Sequence, residues 1–438
     1  MKNSAKGISR NLLSLLFIVS FLPFLRLGMW GGGVENLAAG DIVSVSKMLV
    51  RVVVIFFVAI FFMKHFRQLN DLLKGPSLSL IIFYLFGFLS LLYSSDIFYS
   101  TFRLAEHVSL FFLTLFLGLH WSNRLQSNEL LIAKAINLMI FGLSTIVITV
   151  CIFVVIGSAD VWRHMIGDSV GLGGLVIHVH TLAITCALLY GMLLGKLSSA
   201  SNSSKIGLLL ACVVLLVMIG FTLSRTGYLL VFLVTTIVLI QHKKLVTAVA
   251  VCFFGLLVTM LFVDIDLSIP LEIAARGQNF QELISLSSRV TFWSELVVDT
   301  TFQRPIFGFG YQMLSEDGTT KIFSSLGGIA RGNAHNTFVQ TYAGLGIIGV
   351  SLLSWNIGSV FYRTSYLSRY GYLTKIDKDK LFVIVITCLV GSLTQYGIVG
   401  MTTPLVPIYG FCVALLSVIQ INSFKQNRKI NFGRVLLD

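Results

Sequence analysis

The run "IGLLLACVVLLVMIGFTLSRTGYLLVFLVTTIVLI", residues 206–240, decides the fold. It is too long for one membrane span, which takes about 20 residues, and too apolar for a loop. Its polar interruption is "LSRTG" at 223–227. A Ser-Arg-Thr-Gly sequence is turn material, and it carries a charge that hydrocarbon does not accept cheaply. The run is therefore expected to be two helices, 206–223 and 228–240, joined by a tight turn that holds Arg225.

The rest of the chain repeats this pattern. Of 438 residues, 56% are hydrophobic and 12% charged, where a soluble domain carries about 25% charged. Mean hydropathy is +0.88. Apolar stretches predict twelve spans near 12–29, 43–63, 78–94, 101–120, 135–157, 171–194, 206–223, 228–240, 245–263, 336–360, 381–401 and 405–421. The first follows Lys2, Lys6 and Arg10 and lacks a small-residue cleavage site, so it reads as an uncleaved helix. The fold class is all-α, a polytopic transmembrane helical bundle. The net charge of +13 is not a nucleic-acid footprint. Its lysines and arginines gather in "KHFRQLNDLLK", "QHKK", "RTSYLSRYGYLTKIDKDK" and "FKQNRKINFGR", alternate connections that the positive-inside rule assigns to the cytoplasm together with both termini. The six cysteines all fall in apolar runs, without a paired or metal spacing, and read as small core residues. No HExxH motif occurs, so no metal site is expected.

The predicted organisation is spans one to nine over 1–263, an outer-side loop over 264–335, which the resemblance given below makes periplasmic, spans ten to twelve over 336–421, and a basic cytoplasmic tail over 422–438. The loop is the only connection large enough for structure of its own. Within it, "SLSSRVTFWSELVVDTTF" predicts an amphipathic helix capped by Ser287 or Ser288. Arg289, Phe292, Trp293, Leu296 and Val297 would share one face. "RPIFGFGYQ" then gives a turn set against aromatics. The loop ends in "GNAHNTFVQTYAGLGIIGV", residues 332–350, an apolar helix opened by Asn333, His335 and Asn336. Capping needs one polar side chain there, not three. "AGLGIIG" reads as a close helix-packing face.

Arg225, Arg289 and His335 would lie on the outer side. A guanidinium matches phosphate oxygens in two-pronged fashion, and a helix N-terminus adds positive potential. Such a pocket suits a phosphate or diphosphate. Positive surroundings keep the His335 ring neutral and able to take a proton from a sugar hydroxyl; Asn336 or Asn333 would cap the helix or orient the ring. Taken singly, each residue has a plainer reading: an interfacial histidine, a snorkelling Arg225, a solvated Arg289. Arg26, Lys47, Arg51, Arg103, Glu106 and His107 lie in or near spans and suit a transporter or a headgroup groove as well. Arg103 and Glu106 are spaced to pair. His178 and His180, two apart, are expected to point away from each other.

Taken together and in order, these pieces resemble the bacterial O-antigen ligase and O-antigen polymerase superfamily. "LSRTG" is similar to its Ser-Arg turn, "SSRVTFW" with "PIFGFGY" to its Arg-x-x-x-Trp and Pro-x-x-Gly-x-Gly loop, and "AHNTFVQTYAGLGIIG" to its His-Asn, Gly-x-x-Gly helix. The likeness is closest over about 206–350, with looser echoes in "LSLLYSSD" and "RHMIGDSVG". One departure is Gly344, where the family often has Glu nine residues after the His. The resemblance implies a multi-pass glycosyltransferase of the bacterial inner membrane with a periplasmic active site. It would need neither cofactor nor metal. The implied donor is an undecaprenyl-diphosphate-linked glycan. The acceptor is a second lipid-linked glycan in polymerases and lipid A-core in ligases. Membrane lipids, a chain-length regulator and a flippase are the implied partners. By position His335 would be the catalytic base and Arg225 and Arg289 would grip the diphosphate, with Asn336 and Trp293 in support. The general look of the loop slightly favours a polymerase or exopolysaccharide-assembly type over a ligase. A small-solute or anion transporter is the alternative from another class.

Overall fold

The computed structural model describes residues 12–22, 42–65, 75–94, 96–125, 127–164, 170–174, 176–197, 200–241, 289–312, 334–394, 397–398 and 403–435. These hold twelve helices: α1 (12–19), α2 (Ile42–His65), α3 (Pro76–Leu89), α4 (Ile97–Ser122), α5 (Asn128–Val155), α6 (Val179–Leu197), α7 (Asn202–Thr222), α8 (Arg225–Gln241), α9 (Arg289–Gln303), α10 (Thr337–Arg369), α11 (Lys375–Thr394) and α12 (Leu405–Val435). Seven are long and apolar enough to cross a membrane: α3 with the 3-10 turn that extends it, α4, α5, α6, α7, α10 and α12. α2 and α8 contain shorter apolar stretches. The chain is an α-helical, polytopic membrane bundle. The expected count of twelve spans is not established by these helices, and the ninth expected span, 245–263, lies outside the described residues.

Local chemistry starts and stops the helices. Pro76 opens α3, where its missing N–H costs nothing. Asp96 and Ser127 cap α4 and α5 by accepting from Tyr99 N and Leu130 N. Leu223, with φ +51 in the left-handed region, ends α7, and α8 starts two residues later at Arg225. The 206–240 run thus breaks at the expected turn. α7 begins at Asn202, four residues before the start of the apolar run. A small antiparallel ribbon pairs β1 (Trp162–His164) with β2 (Val170–Leu172), an element that the all-helical pattern did not predict.

α12 is the axis of the bundle: 94% of its spanning residues are buried, and it packs on α4, α3 and α11. The apolar character of α12 all round its surface fits that position. α6 forms a second centre, packed on α7, α8, α5 and α11. α7, by contrast, has only 28% of its span buried and turns most of its side chains outward.

The ends of the bundle can be matched through hydrogen bonds. Gln241 Nε2 donates to Asp379 O at 3.2 Å, so the end of α8 meets the start of α11. Gly397 N donates to Thr337 Oγ1 at 3.0 Å, so the start of α10 meets the chain just after α11. Both α8 and α10 pack on α11. Arg225 and His335 therefore stand at the same end of the bundle.

Candidate functional site

The head of α10 is held by side chains that were picked out in the sequence and by one that was not. Asn336 is the N-cap: its Oδ1 accepts from Phe338 N at 2.9 Å and Val339 N at 3.2 Å. Gln340, unremarked in the sequence, reaches back to accept from Ala334 N at 3.0 Å. Trp293 Nε1 of α9 donates to Ala334 O. Between these restraints sits His335, half-buried, with φ +48. A non-glycine residue in that region costs on the order of 1–3 kcal/mol and persists where its surroundings over-determine it. Of the polar side chains that open this helix, Asn336 caps it and His335 is the strained residue held between the restraints. Asn333 lies outside the described residues.

α9 supplies the support. It forms over the expected stretch and buries Phe292 and Leu296 against Phe309, Ala334 and Ala343 in a small core separate from the main one. Trp293 and Val339 pack at its edge. Val297, assigned to the same face, is exposed, and Thr300 is buried in its place. The packed stripe is therefore 292, 296 and 300, one strict i, i+4 row. The expected caps Ser287 and Ser288, and the side chain of Arg289, are outside what is described.

The segment Arg304–Gln312 after α9 is more than a turn. It runs along α10 and pairs with it through the backbone. Phe309 N donates to Ala343 O at 3.0 Å and Gly310 N to Gly344 O at 2.7 Å. In the other direction, Ile347 N donates to Pro305 O at 2.9 Å. This exchange is open because α10 breaks at Gly346, with φ +61 and ψ −161. A helix interior can give up its own hydrogen bonds only if another partner takes them. "AGLGIIG" is thus the seam with this segment rather than a helix-packing face. A Cβ on Gly346 would lie 2.3 Å from Ile306 C and O. A Cβ on Gly344 would lie 2.9 Å from Gly310 O, which explains why no Glu stands there.

The inserted segment is pinned at its far end. Tyr311 is fully buried, its backbone N–H donates to Ser90 Oγ at 2.9 Å, and its hydroxyl lies 2.6 Å from His107 Nδ1. Burial pushes the Tyr311 phenol well above its usual value, so it stays neutral and hydrogen-bonded. Next to His107, Glu106 pairs with Arg103 at 3.0 Å, as its spacing suggested, and also with Arg51 of α2 at 2.7 Å. Arg304, which no motif marks, stacks its guanidinium on Phe309 at 5.5 Å.

At the α7–α8 turn Arg225 is half-buried, and Ser224, fully buried, lies with its Oγ 3.0 Å from His180 Nδ1. His178 precedes α6 and caps it, accepting from His180 N at 3.3 Å. The two rings are 5.3 Å apart. The expectation that they diverge fails because His178 is outside the helix, where the 100° step between residues does not apply. Arg225 and His335 share one end of the bundle but head different helices.

No curated protein matches the chain. Family comparison finds one region of likeness, and it begins in α7, takes in the Ser224–Arg225 turn, α9, the inserted segment and His335, and ends just past the break in α10. This region, residues 210–354, matches the family model described as O-antigen ligase, so about a third of the chain carries the signature of the O-antigen ligase and polymerase superfamily.

Proposed function

We propose that the protein is a membrane glycosyltransferase that moves a glycan from undecaprenyl diphosphate to a sugar hydroxyl at the periplasmic face of the inner membrane. The family match supports an O-antigen ligase- or polymerase-type membrane enzyme. The observation that carries the chemistry is the strained His335, clamped by Trp293 from one side and by the Asn336 cap from the other. The orientation rests on the distribution of Lys and Arg along the sequence.

In the proposed reaction His335 takes the proton of the acceptor hydroxyl as that oxygen attacks the anomeric carbon of the donor. The bond from that carbon to the diphosphate oxygen breaks. The leaving diphosphate departs with the electron pair, its charge balanced by Arg225 and Arg289. The matched family is described as O-antigen ligase, which supports transfer to lipid A-core at least as well as polymerisation. The slight preference for a polymerase therefore gains nothing from it. The break in α10 favours the transport alternative, since transporters use discontinuous helices. Here, however, the opened backbone is occupied by the protein's own 304–312 segment.

The test supplies purified protein with lipid-linked repeat units alone, or with repeat units plus lipid A-core. Longer lipid-linked glycans identify a polymerase and core-linked glycan a ligase. His335→Ala is expected to abolish either product while its membrane abundance stays at the wild-type level. Product at the wild-type rate from that variant would remove the base from the mechanism.

A further inference from the structure

The inserted segment reaches into two cores at once. Phe309 packs in the small core with Ala334, the residue before His335, whereas Tyr311, two positions on, belongs to the main core. Between them Gly310, with φ +116, passes so close to the α3–α4 connection that a Cβ there would lie 2.6 Å from Ser94 Cβ. The Tyr311 ring fills a notch in α3 left by Gly87, whose Cβ position is 2.9 Å from Tyr311 Cδ2. It stands edge-on to Phe83 and to His107, with ring centroids 6.3 and 5.8 Å away. The chain then turns at buried Gln312, with φ +56. Among the described residues the non-glycines with left-handed φ are Leu223, Gln312 and His335. Such strain persists where the surroundings over-determine it, and it gathers at functional sites. One of the three is the candidate base, and another adjoins the tyrosine that plugs its unit into the bundle.

We propose that His107 is a positioning residue for the transfer reaction: through the Tyr311 hydroxyl it sets the register of the inserted segment on α10, and thereby the place of His335. The inference rests on the role of His335 proposed above. His107 is 1% exposed, and its neighbour Glu106 braces α4 against α2 through Arg51. The bond to Tyr311 therefore starts from a fixed point inside the bundle. It ends on a segment whose N–H groups at 309 and 310 hold the carbonyls of Ala343 and Gly344. Those seam bonds run between backbones, so by themselves they specify no side chain and no register. Tyr311 supplies the register, because a buried hydroxyl stays where its partner is. Phe309 passes it to the small core under Ala334, and Trp293 holds the Ala334 carbonyl from the other side. A displacement of about 1 Å at a catalytic base costs on the order of 100-fold in rate. Substrate contacts made elsewhere are spared, so the effect falls on kcat and not on KM.

The experiment uses the full chain in phosphatidylcholine nanodiscs, with lipid-linked repeat units as donor and either repeat units or lipid A-core as acceptor. Tyr311→Phe keeps the ring in its notch and removes the hydroxyl. His107→Leu removes the partner, and His107→Asn restores a polar atom as many bonds from the backbone as Nδ1. The fourth variant combines Tyr311→Phe with His107→Leu. For each, kcat and KM are measured per folded protein, and amide hydrogen exchange is followed by mass spectrometry over 304–312 and 334–345. Tyr311→Phe and His107→Leu are expected to lower kcat about tenfold or more with KM within about twofold. Both should speed exchange along the seam and at the head of α10. His107→Asn should recover kcat and protection together, and the double variant should be no slower than either single one, since both remove the same bond. Faster exchange with kcat unchanged overturns the inference and leaves His107 a structural residue. Losses that multiply in the double variant overturn it too, because the two side chains would then act separately. Absence of transfer by the wild type to either acceptor overturns the proposed reaction and with it the catalytic use of this contact. Exchange still decides the contact itself: unchanged protection at the head of α10 in Tyr311→Phe overturns it, and faster exchange there upholds it.

Discussion

Gly346→Ala tests the seam between α10 and the inserted segment. The native φ of +61 with ψ −161 is open essentially to glycine alone, and forcing an alanine into it costs about 1–3 kcal/mol. The new methyl would also lie 2.3 Å from Ile306 C and O. Those are backbone atoms, so the segment must move away. Moving it strains or breaks the bond from Ile347 N to Pro305 O and those from Phe309 N and Gly310 N to the α10 carbonyls. Each buried group left without a partner costs about 1–3 kcal/mol. The expected loss is roughly 3–6 kcal/mol, read as a fall in the thermal unfolding temperature of the detergent-purified protein and as loss of glycan transfer. Gly358→Ala, in the same helix with open space around the added carbon, is the control. It should be neutral or stabilise by up to about 1 kcal/mol, as alanine does in place of glycine inside a helix. If Gly346→Ala unfolds at the wild-type temperature and turns over normally, α10 is continuous there and the seam is wrong.

Three further variants bear on the same end of the molecule. Trp293→Phe keeps the ring in the small core but removes the hydrogen bond to Ala334 O; transfer should fall about tenfold, near 1.4 kcal/mol, with donor binding unchanged, and an unchanged rate would deny Trp293 its hold on His335. Arg225→Lys should lower turnover roughly tenfold or more, because an ammonium cannot make the two-pronged contact; full activity would exclude diphosphate gripping by that side chain. Glu106→Gln strips the carboxylate charge from between Arg51 and Arg103, and breaking a buried ion pair costs about 3–5 kcal/mol. A thermal unfolding temperature equal to that of the wild type would mean the trio adds nothing to stability.

What the sequence disclosed depended on whether side-chain chemistry marked it. The turn at Leu223–Ser224 was visible because a charge and a glycine interrupt hydrocarbon. α9 was visible because Phe292 and Leu296 repeat at helical spacing, although Val297 and Thr300 exchanged places at the edge of the buried face. The seam at 343–347 was invisible because its bonds run between backbones, and its glycines have the same spacing as a helix-packing motif. The Arg51–Glu106 contact joins residues of α2 and α4 far apart in sequence, and no local pattern links them. His178 departs from helical spacing for a boundary reason: one residue outside α6, it is a cap whose ring folds beside His180.

The break at Gly346 redraws the joints of the molecule. The first turns of α10 share a small core with α9, and its backbone bonds to the segment after α9 run on to Ile348, whereas Leu353, Val360 and Leu367 farther along belong to the main bundle. The modular boundary therefore lies inside a helix, some 17 Å along it from Thr337 at 1.5 Å per residue, and not at the head of α10. A chimaera that exchanges loops between relatives at residue 335 would cut this unit in two. One that carries the donor sequence from α9 through Ile348 would transplant it whole.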